Sequence, residues 1–212
     1  MYRRRPHAVL VASAVLLVHT ICFAGSIASQ EKLEWLDRSK DIVIIGTVID
    51  IEHDELLSRG NVNRIEKFNK VTVAVLSSLL GSPSDTLAFY ALENVSLDEN
   101  RNALTISETD SPRWFARGDN VLLVLRSFSR QRASNRQPAK FYFVQYVRYI
   151  QGAVRPNSPL LVKRYRGFDR DVNYRFLSYA DIMDTMEYEY VATPVTLSDW
   201  CALNGLTYKG VQ

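Results

Sequence analysis

The chain has 212 residues, 26 Lys+Arg against 23 Asp+Glu, and a formal net charge of +3. Its length suits one domain, or one with an appendage, and 47% hydrophobic residues suffice for a real core. This excludes a disordered or collagen-like chain. Three His and two Cys leave little for His/Cys metal or nucleophile chemistry.

Residues 1–28 read as a secretory signal peptide. Arg3, Arg4 and Arg5 make a basic start, and the apolar run from Val9 to Val18 continues more weakly to Ala24. Cys22-Phe23-Ala24 and Ser26-Ile27-Ala28 both offer small residues to a signal peptidase, the second slightly preferred. The rival reading is an uncleaved anchor, but the run is short for a bilayer and His19 and Thr20 interrupt it. Cleavage leaves His53 and Cys201 as the sole His and Cys, so no intramolecular disulfide can form. Cys201 sits among Trp200, Ala202 and Leu203 and is expected to be buried.

In chain order, residues 30–39 carry apolar Leu33, Trp35 and Leu36 and predict a short amphipathic helix N-capped by Ser29. A β-branched strand over 42–51 follows, with Gly46 marking a bulge or bend. A polar stretch over about 52–66 turns at Gly60-Asn61. Strands are then predicted over 68–76, 86–92, weakly 104–106, and 121–128. Residues 141–150 alternate: Phe141, Phe143, Gln145, Val147 and Tyr149 on one face, Tyr142, Val144, Tyr146, Arg148 and Ile150 on the other. Gln151-Gly152-Ala153-Val154 bends into a last short strand.

The predicted fold is mainly β: a small antiparallel OB-like barrel, preceded by a short helix and followed by a C-terminal helical tail. Closure would hide the edges of such apolar strands. Pro156 and Pro159 mark a boundary. The division is 1–28 signal peptide, 29–155 barrel domain, and 156–212 a tail packed on the barrel. In that tail, helices are predicted over 178–189 and 199–204, the second capped by Ser198 and stopped by Gly205.

Neither a GxGxxG nor a GxxxxGK[ST] phosphate loop is present, nor a GxSxG elbow. His53 lies in Asp50-Ile51-Glu52-His53-Asp54-Glu55; the cluster offers oxygen ligands but no calcium-loop spacing, and reads as solvated. No metal site, cofactor or catalytic residue is assigned, although a two-carboxylate hydrolase would leave no local signature. Asn94-Val95-Ser96 is a glycosylation sequon, meaningful only in a eukaryotic secretory pathway. Arg117-Gly118-Asp119 matches an adhesive tripeptide; the simpler reading is a turn into the strand at Val121.

Asp41-Ile42-Val43-Ile44-Ile45-Gly46-Thr47-Val48, the Leu79-Leu80-Gly81-Ser82 strand end, Phe115 to Leu125, and the aromatic strand closing at Gln151-Gly152 form a recognisable order. Over residues 30–155 it resembles bacterial exported proteins with a netrin-like OB barrel, the fold shared with tissue inhibitors of metalloproteinases. The resemblance implies fold more than activity. That inhibitory chemistry needs an N-terminal cysteine on zinc, and Ser29 or Gly25 would begin this chain, so it does not carry over.

The +3 belongs to Arg3, Arg4 and Arg5; the rest of the chain balances. Residues 29–112 hold 8 basic and 15 acidic side chains, residues 113–175 hold 14 and 3, and residues 176–212 hold 1 and 5. Candidate ligand-binding residues in the basic segment are Arg126, Arg130, Arg132, Arg136, Lys140 and Arg148, with Tyr142 and Tyr146 interleaved. The competing account is that these charges offset the acidic halves around them. The expected function is a non-enzymatic exported module, periplasmic or extracellular, for an anionic glycan, a lipid head group or an acidic protein. Nucleic acid is not an expected partner, and no membrane span remains after cleavage. The alternatives are an inhibitor or regulator of another exported protein, or a carboxylate-based hydrolase.

Overall fold

A computed structural model describes residues 31–58, 65–92, 95–97, 104–106, 115–132, 138–168 and 186–210. Residues 1–28, expected as a signal peptide, lie outside them. The strands are β1 (Asp41–Ser58), β2 (Ile65–Leu80), β3 (Thr86–Leu92), β4 (Val95–Leu97), β5 (Leu104–Ile106), β6 (Asn120–Arg132), β7 (Pro138–Ile150), β8 (Pro159–Phe168) and β9 (Met186–Thr196). One helix, α1 (Leu197–Leu203), follows directly.

The main sheet runs β3-β2-β1-β6-β7-β8-β9, and β3 also meets β7, so β1, β2, β3, β7 and β6 close a five-strand barrel compatible with an OB-like fold. The barrel is mixed rather than antiparallel throughout. A ring of five strands cannot alternate direction all the way round, and the parallel contact Tyr90↔Phe143 between β3 and β7 absorbs the mismatch. β4 and β5 form a separate hairpin.

Long β1 stays in register around so tight a ring only by bulging, with shifts at Val43/Ile44, Ile45/Gly46, Val48/Asp50 and Glu52/Glu55. Gly46 is required there by close approach: a Cβ would lie 2.7 Å from the Ala74 carbonyl oxygen. The end of β1 comes back to the end of β6, Leu57 opposite Arg132 and Ser58 opposite Gln131. The polar stretch expected over 52–66 therefore begins as strand.

Alternate residues build two cores. Ile44, Val48, Val71, Val73, Phe89, Val121, Leu123, Leu125, Val144, Val147 and Tyr149 fill the barrel. Val43, Ile45, Leu122 and Val124 point the other way and are covered by Leu33, Leu160, Val195, Leu197, Trp200 and Leu206. Val144 and Val147 share the interior because β7 bulges. Val124 faces Tyr146 while Leu125 faces Val144, so Gln145 is an extra residue. The face predicted from simple alternation along 141–150 is thus split: Phe141 and Phe143 lie outside, Val147 and Tyr149 inside.

Residues 32–40 form turns, not the helix expected over 30–39. Leu36 N donates to Leu33 O, Asp41 N to Asp37 O, and the Asp37 carboxylate accepts from Ser39 N and Oγ. An Asp that bonds its own local backbone favours a turn over a helix. The tail is more strand than helix. Residues 178–185 of the helix predicted over 178–189 lie outside the described residues, and 186–189 belong to β9, whose Tyr188, Tyr190, Val191, Thr193 and Val195 favour extended backbone. Residues 151–154, expected to lead into a strand, precede β8 in a turn.

The terminal helix is capped two residues earlier than predicted. The Thr196 side chain accepts from Asp199 N and the Asp199 carboxylate from Thr196 N, a capping box, and Gly205 follows at φ +63°. Cys201 is free and buried in this outer core, and burial pushes its thiol up to about 11. A raised folded value adds stability that is intact below pH 9 and lost as pH rises through 11. On that basis about 2 kcal/mol should disappear across this window under reducing conditions. Urea melts of the wild type and Cys201→Ala at pH 8, 9, 10 and 11 check it: the wild type loses more than the variant. Parallel losses would remove Cys201 from the alkaline transition.

Candidate functional site

The eight residues singled out in the basic segment separate by strand parity and by partner. Arg126 sits on β6 opposite Phe143. Its Nε and Nη2 donate to the two Asp41 carboxylate oxygens at 2.6 and 2.7 Å, and Nη2 also reaches the Trp35 carbonyl oxygen at 3.3 Å. Asp41 is fully buried at its side chain. Its hydrogen bonds hold the Arg126 guanidinium protonated above its usual range, against burial. The Arg126 guanidinium also lies 5.8 Å from the Trp35 ring centroid.

Arg148 is buried more deeply. Its Nε and Nη2 donate to Glu31 Oε1 at 3.0 and 2.7 Å, and the Tyr146 hydroxyl donates to Glu31 Oε2. Only 3% of the Glu31 side chain and 12% of Arg148 remain accessible. The Arg148 guanidinium lies 4.3 Å from the Tyr146 ring, whose other neighbour is Trp200, stacked at 5.6 Å. Burial pushes the Tyr146 phenol far above its ordinary value. Arg126, Arg148 and Tyr146 are thereby bound to the acidic N-terminal segment.

The others take different positions. Tyr142 packs against the barrel core. Lys140 is exposed, opposite Ser129 near the β6–β7 hairpin end. The Arg130 guanidinium stands 5.5 Å over the Phe143 ring. Arg132 ends β6, described by its backbone pairing alone, and Arg136 lies outside the described residues.

Sequence reasoning missed one ionic cluster. Lys163 Nζ lies 3.2 Å from Asp119 Oδ2, and 5.2 and 5.3 Å from the Tyr149 and Tyr190 rings. The Tyr190 hydroxyl donates to Asp119 Oδ1 at 2.9 Å, and Ala116 N to Asp119 Oδ2 at 2.8 Å. Burial lowers the Lys163 ammonium below its usual range, and Asp119 opposes that shift. β7 and β8 share one backbone pair, Tyr149↔Leu161, so this cluster is a principal clamp of the β8–β9 hairpin on the barrel. The same contacts make Arg117-Gly118-Asp119 a structural turn. Gly118 has φ +89°, its N–H donates to Val48 O, and the Asp119 side chain faces inward. Arg117 pairs instead with Asp50.

The acidic cluster around His53 is likewise dispersed among partners. Glu52 pairs with Lys70 at 2.5 Å and His53 Nδ1 lies 2.9 Å from Asn69 Oδ1. Among the described residues no group of His, Cys, Asp and Glu is arranged to hold a metal, and no helix is long and apolar enough to cross a membrane.

Outside the barrel, Phe68, Tyr90, Phe141 and Phe143 form an aromatic cluster spanning β2, β3 and β7. Phe68 and Phe143 meet edge-on at 5.2 Å, as do Tyr90 and Phe141 at 5.1 Å. Phe128 of β6 joins at 5.7 Å from Phe143 yet stays 40% exposed. Arg126, Phe128 and Arg130 share one strand parity, and Arg132 is the next position of that parity. One face of β6 thus carries Arg126 and Arg130, with the Phe128 ring between them. Lys140, opposite Ser129, has the other parity. Comparison with protein-family models, curated proteins and solved structures finds no match for the chain.

Proposed function

We propose that the chain is a non-enzymatic exported binding module whose ligand surface is the outer face of β6 and the adjoining hairpin end. The carrying observation is the shared parity of Arg126, Phe128, Arg130 and Arg132. Within that set Arg126 is neutralised by Asp41, and exposed Lys140 at the hairpin end adds a cation to the surface. Such a face selects an anionic ligand: an envelope glycan, a lipid head group or an acidic protein. OB-like barrels use comparable strand faces and hairpin loops for polymers. Export rests on the tripartite pattern of residues 1–28. The order of motifs over 30–155, together with the five-strand ring, supports a netrin-like relationship as part of the same proposal.

Retention on immobilised heparin tests the reading. The chain should bind at low salt and elute as salt rises, because exposed ion pairs are screened. Lys140→Gln with Arg132→Gln should elute at clearly lower salt while unfolding at the wild-type temperature. Flow-through at low salt, or retention indifferent to salt, would reject it.

A further inference from the structure

We propose that the site holding Glu31-Lys32-Leu33 is a receptor for an acidic peptide, occupied in cis by residues 31–40 acting as a latch. It lies where Arg148 faces Leu122, at the far end of β6 and β7 from the hairpin-end surface above, and it stands independently of that reading. Glu31 places its carboxylate between the Arg148 guanidinium, at 2.7 Å, and the Tyr146 hydroxyl. Asn204 grips the backbone of the same segment. Its Oδ1 accepts from Leu33 N at 2.8 Å, and its Nδ2 donates to the Glu31 carbonyl oxygen at 3.1 Å. Leu33 then joins Trp200 in the outer core. The site thus reads a carboxylate, a backbone N–H and C=O, and a branched apolar side chain within three residues. A polypeptide supplies all of these at that spacing. A glycan or a lipid head group has the charge but not the peptide unit that Asn204 takes.

The receptor side is built in advance. Tyr146 stacks on Trp200 at 5.6 Å and lies against the Arg148 guanidinium, and Asn204 Nδ2 also donates to the Trp200 carbonyl oxygen at 2.9 Å. These groups belong to β7 and the end of α1, so little freedom is lost when a segment docks on them. The latch side has no ladder. Among the described residues its backbone bonds stay local, Leu36 N to Leu33 O and Lys40 N to Asp37 O. Side chains join it to the fold: besides Arg148, Tyr146 and Asn204, Arg126 reaches the Trp35 carbonyl oxygen and Arg38 the Gly205 carbonyl oxygen. A segment held in this way opens at less than the cost of global unfolding. Its direct link to β1 also gives it a high effective concentration at the site. A partner's Glu-x-Leu segment therefore binds in competition with it, and the apparent affinity of the intact chain is reduced by the fraction of latch that is open.

Titration calorimetry with a synthetic peptide of residues 29–36 tests this on the purified chain and on a variant with a weakened latch, Glu31→Gln with Leu33→Ala. The variant should bind the peptide one to one, at least about tenfold more tightly than the wild type does. Replacing the peptide's Glu31 by Gln should weaken binding about tenfold, and so should N-methylation of its Leu33, which removes the N–H that Asn204 accepts. Replacing its other residues by Ala should leave most of the affinity. Where the variant unfolds too readily for calorimetry, its melting temperature is the readout, and saturating peptide should raise it by several degrees. A folded variant that ignores the peptide, a melting temperature that does not move, equal binding of a scrambled peptide, or wild-type binding as tight as the variant's would each overturn the proposal. Heparin retention, which reports on the hairpin-end surface, should be the same in the variant and the wild type.

Discussion

Arg148→Ala lowers the unfolding free energy by about 3–5 kcal/mol, the loss typical of removing one partner from a buried ion pair. The Glu31 carboxylate stays enclosed after the guanidinium is gone, with the Tyr146 hydroxyl still donating to it. It cannot turn to water without withdrawing residues 31–33 from the outer core. Leu33 fixes that segment from the other side: its N–H donates to Asn204 Oδ1, and Asn204 Nδ2 donates to the Glu31 carbonyl oxygen. The loss should be insensitive to moderate salt, because a buried pair is poorly screened. Glu31→Gln combined with Arg148→Met should recover part of it, since removing both charges leaves no uncompensated ion. Urea unfolding of the three proteins at two ionic strengths gives the answer. A loss below about 1 kcal/mol would mean that Arg148 is a surface cation, available to a ligand after all.

That result would bear on how far a charge count can go. Residues 113–175 gather 14 basic side chains against 3 acidic, and the count alone cannot separate a ligand surface from internal neutralisation. Arg126 finds Asp41 across 85 residues and Arg148 finds Glu31 across 117. No local pattern encodes such pairs; they follow from which strands become neighbours. The strands themselves were more legible. β3 and β5 begin and end where β-branched and aromatic patterning placed them, at Thr86–Leu92 and Leu104–Ile106. The hairpin formed by β1 and β2 runs further than its apolar signal, because solvated residues such as Glu52 and Lys70 pair across it without hydrophobic alternation. The bulge at Gln145 had no signal at all. The alternation of 141–150 reads equally well unbroken, and only closure of the ring demands the extra residue. Likewise Leu33 and Leu36 are spaced as in a helix, yet the Asp37 side chain captures the local backbone for a turn.

Trp200→Ala should cost about 3–5 kcal/mol, the range for emptying a large aromatic site in a packed core. Trp200 is fully buried and is among the largest side chains in the outer core. It is delivered there by a seven-residue helix too short to be stable alone, fixed at its start by the Thr196–Asp199 capping box. One of its faces stacks on Tyr146, the residue that also bonds Glu31 and supports Arg148. Removing the indole therefore loosens the aromatic wall of the ion-pair site as well as opening a cavity. Trp200→Phe should lose distinctly less, because a ring still fills most of the space. The two large effects should not be independent: Trp200→Ala and Arg148→Ala combined should depart from additivity by about 0.5–3 kcal/mol, as expected for residues sharing a partner. Strict additivity in a double-mutant cycle would separate the outer core from the Glu31–Arg148 pair. Coupling of that size would make the N-terminal turns, the β7 arginine and the C-terminal helix one cooperative unit built on the outside of the barrel.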